Sequence, residues 1–429
     1  MTVLAPCFLT VHRRPCGPRP VSARVRTGWV AWLAIAALFA AGPQPIRAEE
    51  SPRRVLCGID VLVRDDFQPL QAQRVGLITN HTGVDRQGRS TALLMHEADA
   101  VQLETLFSPE HGFAGALDQS KIDDVTDPTT GLHVYSLYGK TRRPTAEMLE
   151  GLDTLVFDIQ DIGTRFYTYI ATMGEAMHAA EQHGLRFVVL DRPNPINGVD
   201  LAGPMLDSED ESFVGYHVLP VRHGMTTGEL ARMFQRERYP DLKLQVIACE
   251  GWQRDEYYDD TDLYWVNPSP NMRTLNQAIL YPGIGLLEFT NLSVGRGTDT
   301  PFEHIGAPWI DGRRLATALN RLDLGGVAFV PKHFTPTSSK FAGERCEGIH
   351  ILIRDRAKVH PVKIGLAIAT LLRAHHPDAW EMKNFNRLLS SQAIRDAVAE
   401  GASLDEVLPL RSEGLEAFEQ RREQYLLYR

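Results

Sequence analysis

Residues 154–191 read TLVFDIQDIGTRFYTYIATMGEAMHAAEQHGLRFVVLD. The runs Thr154-Leu155-Val156-Phe157-Asp158-Ile159 and Arg186-Phe187-Val188-Val189-Leu190-Asp191 are nearly continuous in apolar residues, the pattern of strands covered on both faces. Between them, residues 168–183 repeat apolar side chains at helical spacing. Strand, helix and strand in that order predict a βαβ unit with a right-handed crossover and hence a parallel sheet. The alternation continues toward the N terminus, with strands expected at 75–80 and 103–107 and helices at 90–98 and 145–150. The expected fold class is α/β, a Rossmann-like doubly wound parallel sheet. Gly76 lies inside the first strand and no GxGxxG follows it, so the shape does not imply a dinucleotide, and no cofactor is expected.

Toward the C terminus the character changes after Asn267-Pro268-Ser269-Pro270-Asn271. Strands are expected at 326–331 and 348–353, followed by an amphipathic helix over 361–375. These make a smaller α/β C-terminal domain, and the boundary is placed near residue 276, giving domains 49–276 and 277–429. No internal repeat or low-complexity tract interrupts them.

The first 27 residues carry Arg13, Arg14, Arg19, Arg24 and Arg26 and no acid, and residues 29–41 are uncharged before Gly42-Pro43. A basic segment followed by a short apolar one is the form of a secretory signal peptide, here residues 1–48 with cleavage after Ala48. An uncleaved anchor is the competing reading, since the uncharged stretch runs from Gly28 to Ile46. Export predicts a periplasmic or extracellular protein with no stable membrane insertion after cleavage.

The whole chain has a net charge of −9, and residues 1–48 hold six arginines and no acid. Taking those six positive charges away leaves −15, a surface that repels polyanions, so nucleic acid is not an expected partner. Cys57, Cys249 and Cys346 remain beyond the leader, too few and too scattered for a disulfide framework, although one bridge is not forbidden. Without a CxxC, HExxH or His-pair spacing no metal site is expected, and without GxSxG an esterase elbow has no support.

Two loops carry the chemistry. Ser108-Pro109-Glu110-His111-Gly112 directly follows the 103–107 strand, where α/β sheets build their sites. Glu303-His304 lies in a second loop rich in Gly and Pro, 295–306. Paired carboxylates are what glycoside hydrolysis needs, one neutral to protonate the leaving oxygen and one anionic to meet the developing positive charge. Glu110 follows an apolar strand, a partly desolvated setting that favours the protonated acid; Glu303, or failing that Asp161, is expected as its partner. The bland readings are a solvated Glu-His turn for Glu110 and a linker with Arg296 paired to Asp299 for the second loop. The run Thr164-Arg165-Phe166-Tyr167-Thr168-Tyr169 mixes a cation with aromatic faces suited to a sugar ring, and its bland reading is helix core.

At these segments the sequence resembles the exo-β-N-acetylmuramidases, the NamZ-like family formerly described as a domain of unknown function. The resemblance rests on residues 76–83 (GLITNHTG), 107–112 (FSPEHG), 158–165 (DIQDIGTR), 191–195 (DRPNP) and 291–298 (NLSVGRGT), five strings in order. It runs from about Gly58 to Arg429. It implies a site between a Rossmann-like domain and a smaller C-terminal one, with release of non-reducing terminal N-acetylmuramic acid (MurNAc) from peptidoglycan fragments such as MurNAc-GlcNAc. The substrate-binding residues expected along those loops are Asn80, His81, His111, Asp158, Arg165, Tyr167, Asn194, Asn271, Arg296 and Thr298. Arg165 and Arg296 are the cations expected to hold the lactyl carboxylate. A non-catalytic muropeptide-binding protein, or a metal or serine hydrolase of wall peptides or esters, are the competing functions.

Overall fold

The computed structural model describes residues 54–119 and 121–429, so the signal peptide expected at 1–48 lies outside the described residues. The main sheet contains β1 (Arg74–Thr79), β2 (Gln102–Ser108), β3 (Val125–Thr126), β4 (His133–Ser136), β5 (Thr154–Asp158) and β6 (Arg186–Leu190). After the antiparallel pair β7 (Ala202–Met205) and β8 (Pro220–Arg222), β9 (Lys243–Ile247) completes it. The spatial order is β3-β4-β2-β1-β5-β6-β9. All neighbours run parallel except β3 against β4.

The chain winds outward from β1 through β2 and β4, returns to β5 on the other side of β1, and winds outward again through β6 to β9. The α/β, doubly wound, mostly parallel fold expected from residues 154–191 is the observed one. Its central strands β1, β5 and β6 are largely apolar because both faces are covered. Val75, Leu77, Val156 and Val188 pack with Ile59, Leu62 and Met95 from the helices Gly58–Arg64 and Thr91–His96. Ile78, Leu155, Phe157 and Val189 pack with Ile170, Met173 and Phe234 from Tyr169–Gln182 and Thr227–Arg238. Strand alternation sends successive side chains to opposite layers, so neither set is available to water.

A second, antiparallel sheet orders β10 (His304–Ala307), β12 (Cys346–Ile353) and β11 (Val327–Phe334). The apolar core that includes Ile78 and Phe157 continues through Tyr281, Phe302 and Ile351 to Phe418, so the two sheets share it. Helices Leu275–Ile284 and Pro361–His375 cross at two glycines. A Cβ on Gly283 would lie 1.8 Å from the Pro361 carbonyl oxygen, and one on Gly365 2.3 Å from that of Gly283.

Three local expectations need correction or completion. Residues 145–150 form a succession of turns rather than a helix. The strands β4 and β9, which widen the parallel sheet on either side, were not anticipated. Cys57, Cys249 and Cys346 are all buried free thiols.

Candidate active site

Glu110 stands two residues beyond β2. The chain reverses immediately after it because His111 and Gly112 both take left-handed backbone conformations, at φ 71 and φ 74. For glycine this is free, whereas for histidine it costs energy and marks a site held by its surroundings. The His111 ring is tied by Nδ1 to the Leu117 carbonyl at 2.7 Å, and the Gly112 amide donates to the Pro109 carbonyl. The turn carries Glu110 to the start of helix Tyr169–Gln182, where the hydroxyl of its N-cap residue Thr168 donates to Glu110 Oε2 at 2.5 Å.

Glu110 opens into a cavity of about 380 Å³, within the usual size of small-ligand pockets. Its inner wall is aromatic: Tyr281 meets Phe302 edge-on at 4.7 Å between centroids and Phe166 at 5.2 Å, and Tyr167 meets Tyr169 at 4.9 Å. The Tyr138 phenol, from the loop after β4, lies beside Glu110. Burial and that neighbouring carboxylate push its pKa up to about 12, while Arg142 and Arg387 pull the other way.

One other carboxylate lines the cavity, Glu288. It follows helix Leu275–Ile284 and a single 3₁₀ turn, Gly285–Leu287. Its side chain is only 14% exposed, and Oε1 lies 2.5 Å from Arg296 Nε. Arg296 also reaches Asp118 at 3.1 Å. Burial opposes the Arg296 charge, but Glu288 and Asp118 overcome it and hold the guanidinium above its ordinary pKa. Glu288 is thus paired with a buried cation, whereas the hydrogen bond received by Glu110 comes from a neutral hydroxyl.

The expected partners of Glu110 are not in this cavity. Glu303 accepts from Gln277 Nε2 at 3.1 Å and the Thr274 hydroxyl at 3.3 Å. Asp161 folds back onto the Gly163 amide at 2.7 Å and lies 3.6 Å from His223. Arg165 also needs correction. It is 1% exposed and donates to the carbonyls of Pro204, Leu219, Leu388 and Leu389, so its guanidinium is consumed in joining the β7 and β8 segments to the C-terminal helices. Asp158 is bound by Arg192 at 2.5 and 2.9 Å and by the Thr91 hydroxyl at 2.5 Å. That buried pair sits at the carboxyl end of β5, beside the β1–β5 switch point where α/β sheets usually admit ligands, and the cavity is lined by segments that follow β2, β4 and β5.

The remaining expected residues divide into three groups. His111, Tyr167 and Arg296 line the cavity with Glu110. Asn271 and Thr298 line a neighbouring cavity of about 530 Å³, and Asn271 is tied by Nδ2 to the same Asp118 that Arg296 holds. Asn80, His81 and Asn194 make local contacts: Asn80 accepts from Thr82, His81 Nε2 meets the Asn267 carbonyl at 2.6 Å, and Asn194 bonds Ile196 and Met225. Sequence reasoning missed Glu288, Tyr138, Arg142 and Arg387. Glu288 had a signal, a lone acid inside the apolar run Ile284-Gly285-Leu286-Leu287-Glu288-Phe289, since an ionisable group in such a run is seldom there for packing. Among the described residues no three His, Cys, Asp or Glu side chains gather into a metal cage.

Residues 75–276 match the family described as exo-beta-N-acetylmuramidase NamZ, N-terminal, and residues 279–428 match its C-terminal counterpart. The peptidoglycan beta-N-acetylmuramidase NamZ of Bacillus subtilis (strain 168) is 42% identical over 406 residues, covering 94% of this chain and 98% of that protein. Two solved DUF1343 family proteins of Bacteroides fragilis are similar in structure. One has a TM-score of 0.82 at 38% identity, covering 88% of this chain and 100% of its own. The other has a TM-score of 0.70 at 30% identity, covering 87% and 99%.

Proposed function

The chain belongs to the exo-beta-N-acetylmuramidase NamZ family, and on that premise we propose how its two cavity carboxylates divide the work. The protein is a glycoside hydrolase that releases terminal N-acetylmuramic acid from peptidoglycan fragments. Glu110 is the general acid that protonates the leaving glycosidic oxygen, and Glu288 is the anion that meets the oxocarbenium-like charge. The supporting observation is that these two acids line one aromatic-walled cavity in different electrostatic settings. Two carboxyl groups take opposite roles when one environment fixes the charge and the other leaves room for a proton.

The natural substrate in this reading is MurNAc-GlcNAc and longer fragments with MurNAc at the non-reducing end. The basic, acid-free start of the chain and its short apolar segment support export, with processing near Glu49 and work in the periplasm or outside the cell. No described helix is long and apolar enough to cross a membrane.

The division of roles is tested by leaving-group dependence. Glu110→Gln should lose roughly 10²- to 10⁴-fold on MurNAc-GlcNAc and much less on a nitrophenyl β-MurNAc glycoside, whose leaving group needs little protonation. Glu288→Gln should lose both substrates. Equal losses from Glu110→Gln on the two substrates, in a folded variant, would remove the acid role from Glu110.

A further inference from the structure

Among the cations around the Glu110 cavity, Arg296 is occupied by Glu288 and Asp118. Arg142 and Arg387 differ. Arg142 lies over the ring of Phe213 at 4.2 Å and that of Tyr138 at 5.5 Å, and Arg387 lies over Phe289 at 4.5 Å. Among the described residues neither guanidinium makes an ion pair or a side-chain hydrogen bond, and both line the cavity. Stacking uses the flat face of a guanidinium and leaves its five in-plane N–H donors unspent. The two arrive from distant parts of the chain, Arg142 from the loop after β4 and Arg387 from the short helix Asn386–Leu389. Both charges act on the Tyr138 phenol, which adjoins Glu110.

We infer that Arg142 and Arg387 form a clamp for the lactyl carboxylate of the terminal N-acetylmuramic acid, and so set the choice of muramyl over glucosaminyl ends. The inference rests on the glycosidase reading above, because it assigns the one charged group of that substrate. The demand for such cations is strong: the chain carries net charge −9, and an anionic sugar entering a net-negative protein needs local positive charge. A carboxylate takes two parallel N–H donors from a guanidinium, a geometry that a neutral hydroxyl at the same sugar position does not reproduce. The clamp replaces the role expected of Arg165, which the fold consumes, and of Arg296, which serves Glu288.

The test compares a chromogenic β-MurNAc glycoside with its lactyl methyl ester, using the full protein and the variants Arg142→Met, Arg387→Met and the double variant. Wild type should prefer the free acid. The double variant should lose roughly 10- to 100-fold of that preference, the size of a charge-assisted hydrogen bond at a part-exposed site, with most of the change in KM. Arg→Lys at either position should restore part of it. Equal loss on acid and ester, or an unchanged preference, overturns the clamp. Calorimetric binding of free MurNAc against GlcNAc reads the same clamp without turnover. If wild type hydrolyses neither glycoside yet binds MurNAc selectively, and the variants lose that selectivity, the clamp stands and the glycosidase reading falls. Selective binding that survives in the double variant overturns the clamp.

Discussion

Arg165 donates four hydrogen bonds to main-chain carbonyls while almost wholly out of water, and burial lowers its pKa to about 9. Removing it leaves the carbonyls of Pro204, Leu219, Leu388 and Leu389 without that donor in a dry setting, where each unpaired group is costly. Arg165→Met should therefore lower stability by about 3–5 kcal/mol, the cost of a few buried acceptors left unmet, seen as a lower denaturant midpoint, while KM in the folded fraction stays near wild type. A raised KM at unchanged stability would return the residue to the site. The sequence made Arg165 and Arg296 look alike, each a cation beside aromatic or Gly-rich residues. What separates them is which carbonyls and carboxylates surround the guanidinium, and those belong to segments far away in the chain. Glu110 was legible because a strand end followed by Pro-Glu-His-Gly is a local pattern. Tyr138, Arg142 and Arg387 were not, since their meeting depends on how the C-terminal helices settle against the loops after β4.

At the scale of elements, the contact of Leu275–Ile284 with Pro361–His375 depends on two residues that have no side chain. Gly283→Ala would set a methyl 1.8 Å from the Pro361 carbonyl oxygen, a distance no local adjustment absorbs, so the helices must separate. Because Tyr281 and Glu288 flank that crossing, the variant should lose both stability and activity. Its unfolding temperature should fall by several degrees, on the order of the 1–3 kcal/mol that overpacking costs. A Gly283→Ala protein with wild-type melting and turnover would show that the crossing is looser than described. The strands β1, β5 and β6 were readable from nearly continuous apolar runs, and β2 from the more mixed run Leu103-Glu104-Thr105-Leu106-Phe107. β9 reads Lys243-Leu244-Gln245-Val246-Ile247 and β4 only His133-Val134-Tyr135-Ser136. Both lie toward the margins of the sheet, where short mixed sequences pair through the main chain and leave little pattern.

For the whole molecule, the sharing of one core by both sheets ties the site to global stability, and pH acts on that stability through buried groups. Burial, with Lys332 and His350 nearby, lowers the His304 pKa to about 3 from 6.5. The unfolded chain thus binds the extra proton first, so this contribution is complete above pH 6.5 and is lost as pH falls toward 3. Asp191 acts in the opposite sense: burial raises it from 3.8 to about 6, so its contribution is complete below pH 3.8 and is lost as pH rises through 6. His304→Asn removes the first effect only. Its unfolding temperature should fall less than that of wild type between pH 7 and pH 4, by on the order of a few degrees; identical slopes would count against a neutral, buried His304. The central claim is that a terminal muramyl residue enters the Glu110 cavity and is released there by Glu110 and Glu288. It is tested most directly by a product time course on a defined muro-oligosaccharide with MurNAc at its non-reducing end. Free MurNAc should be the first product to accumulate with wild type and should form at least roughly 10²-fold more slowly with Glu110→Gln and Glu288→Gln of unchanged fold. Internal fragments without free MurNAc, or release at near wild-type rate in both variants, would contradict it.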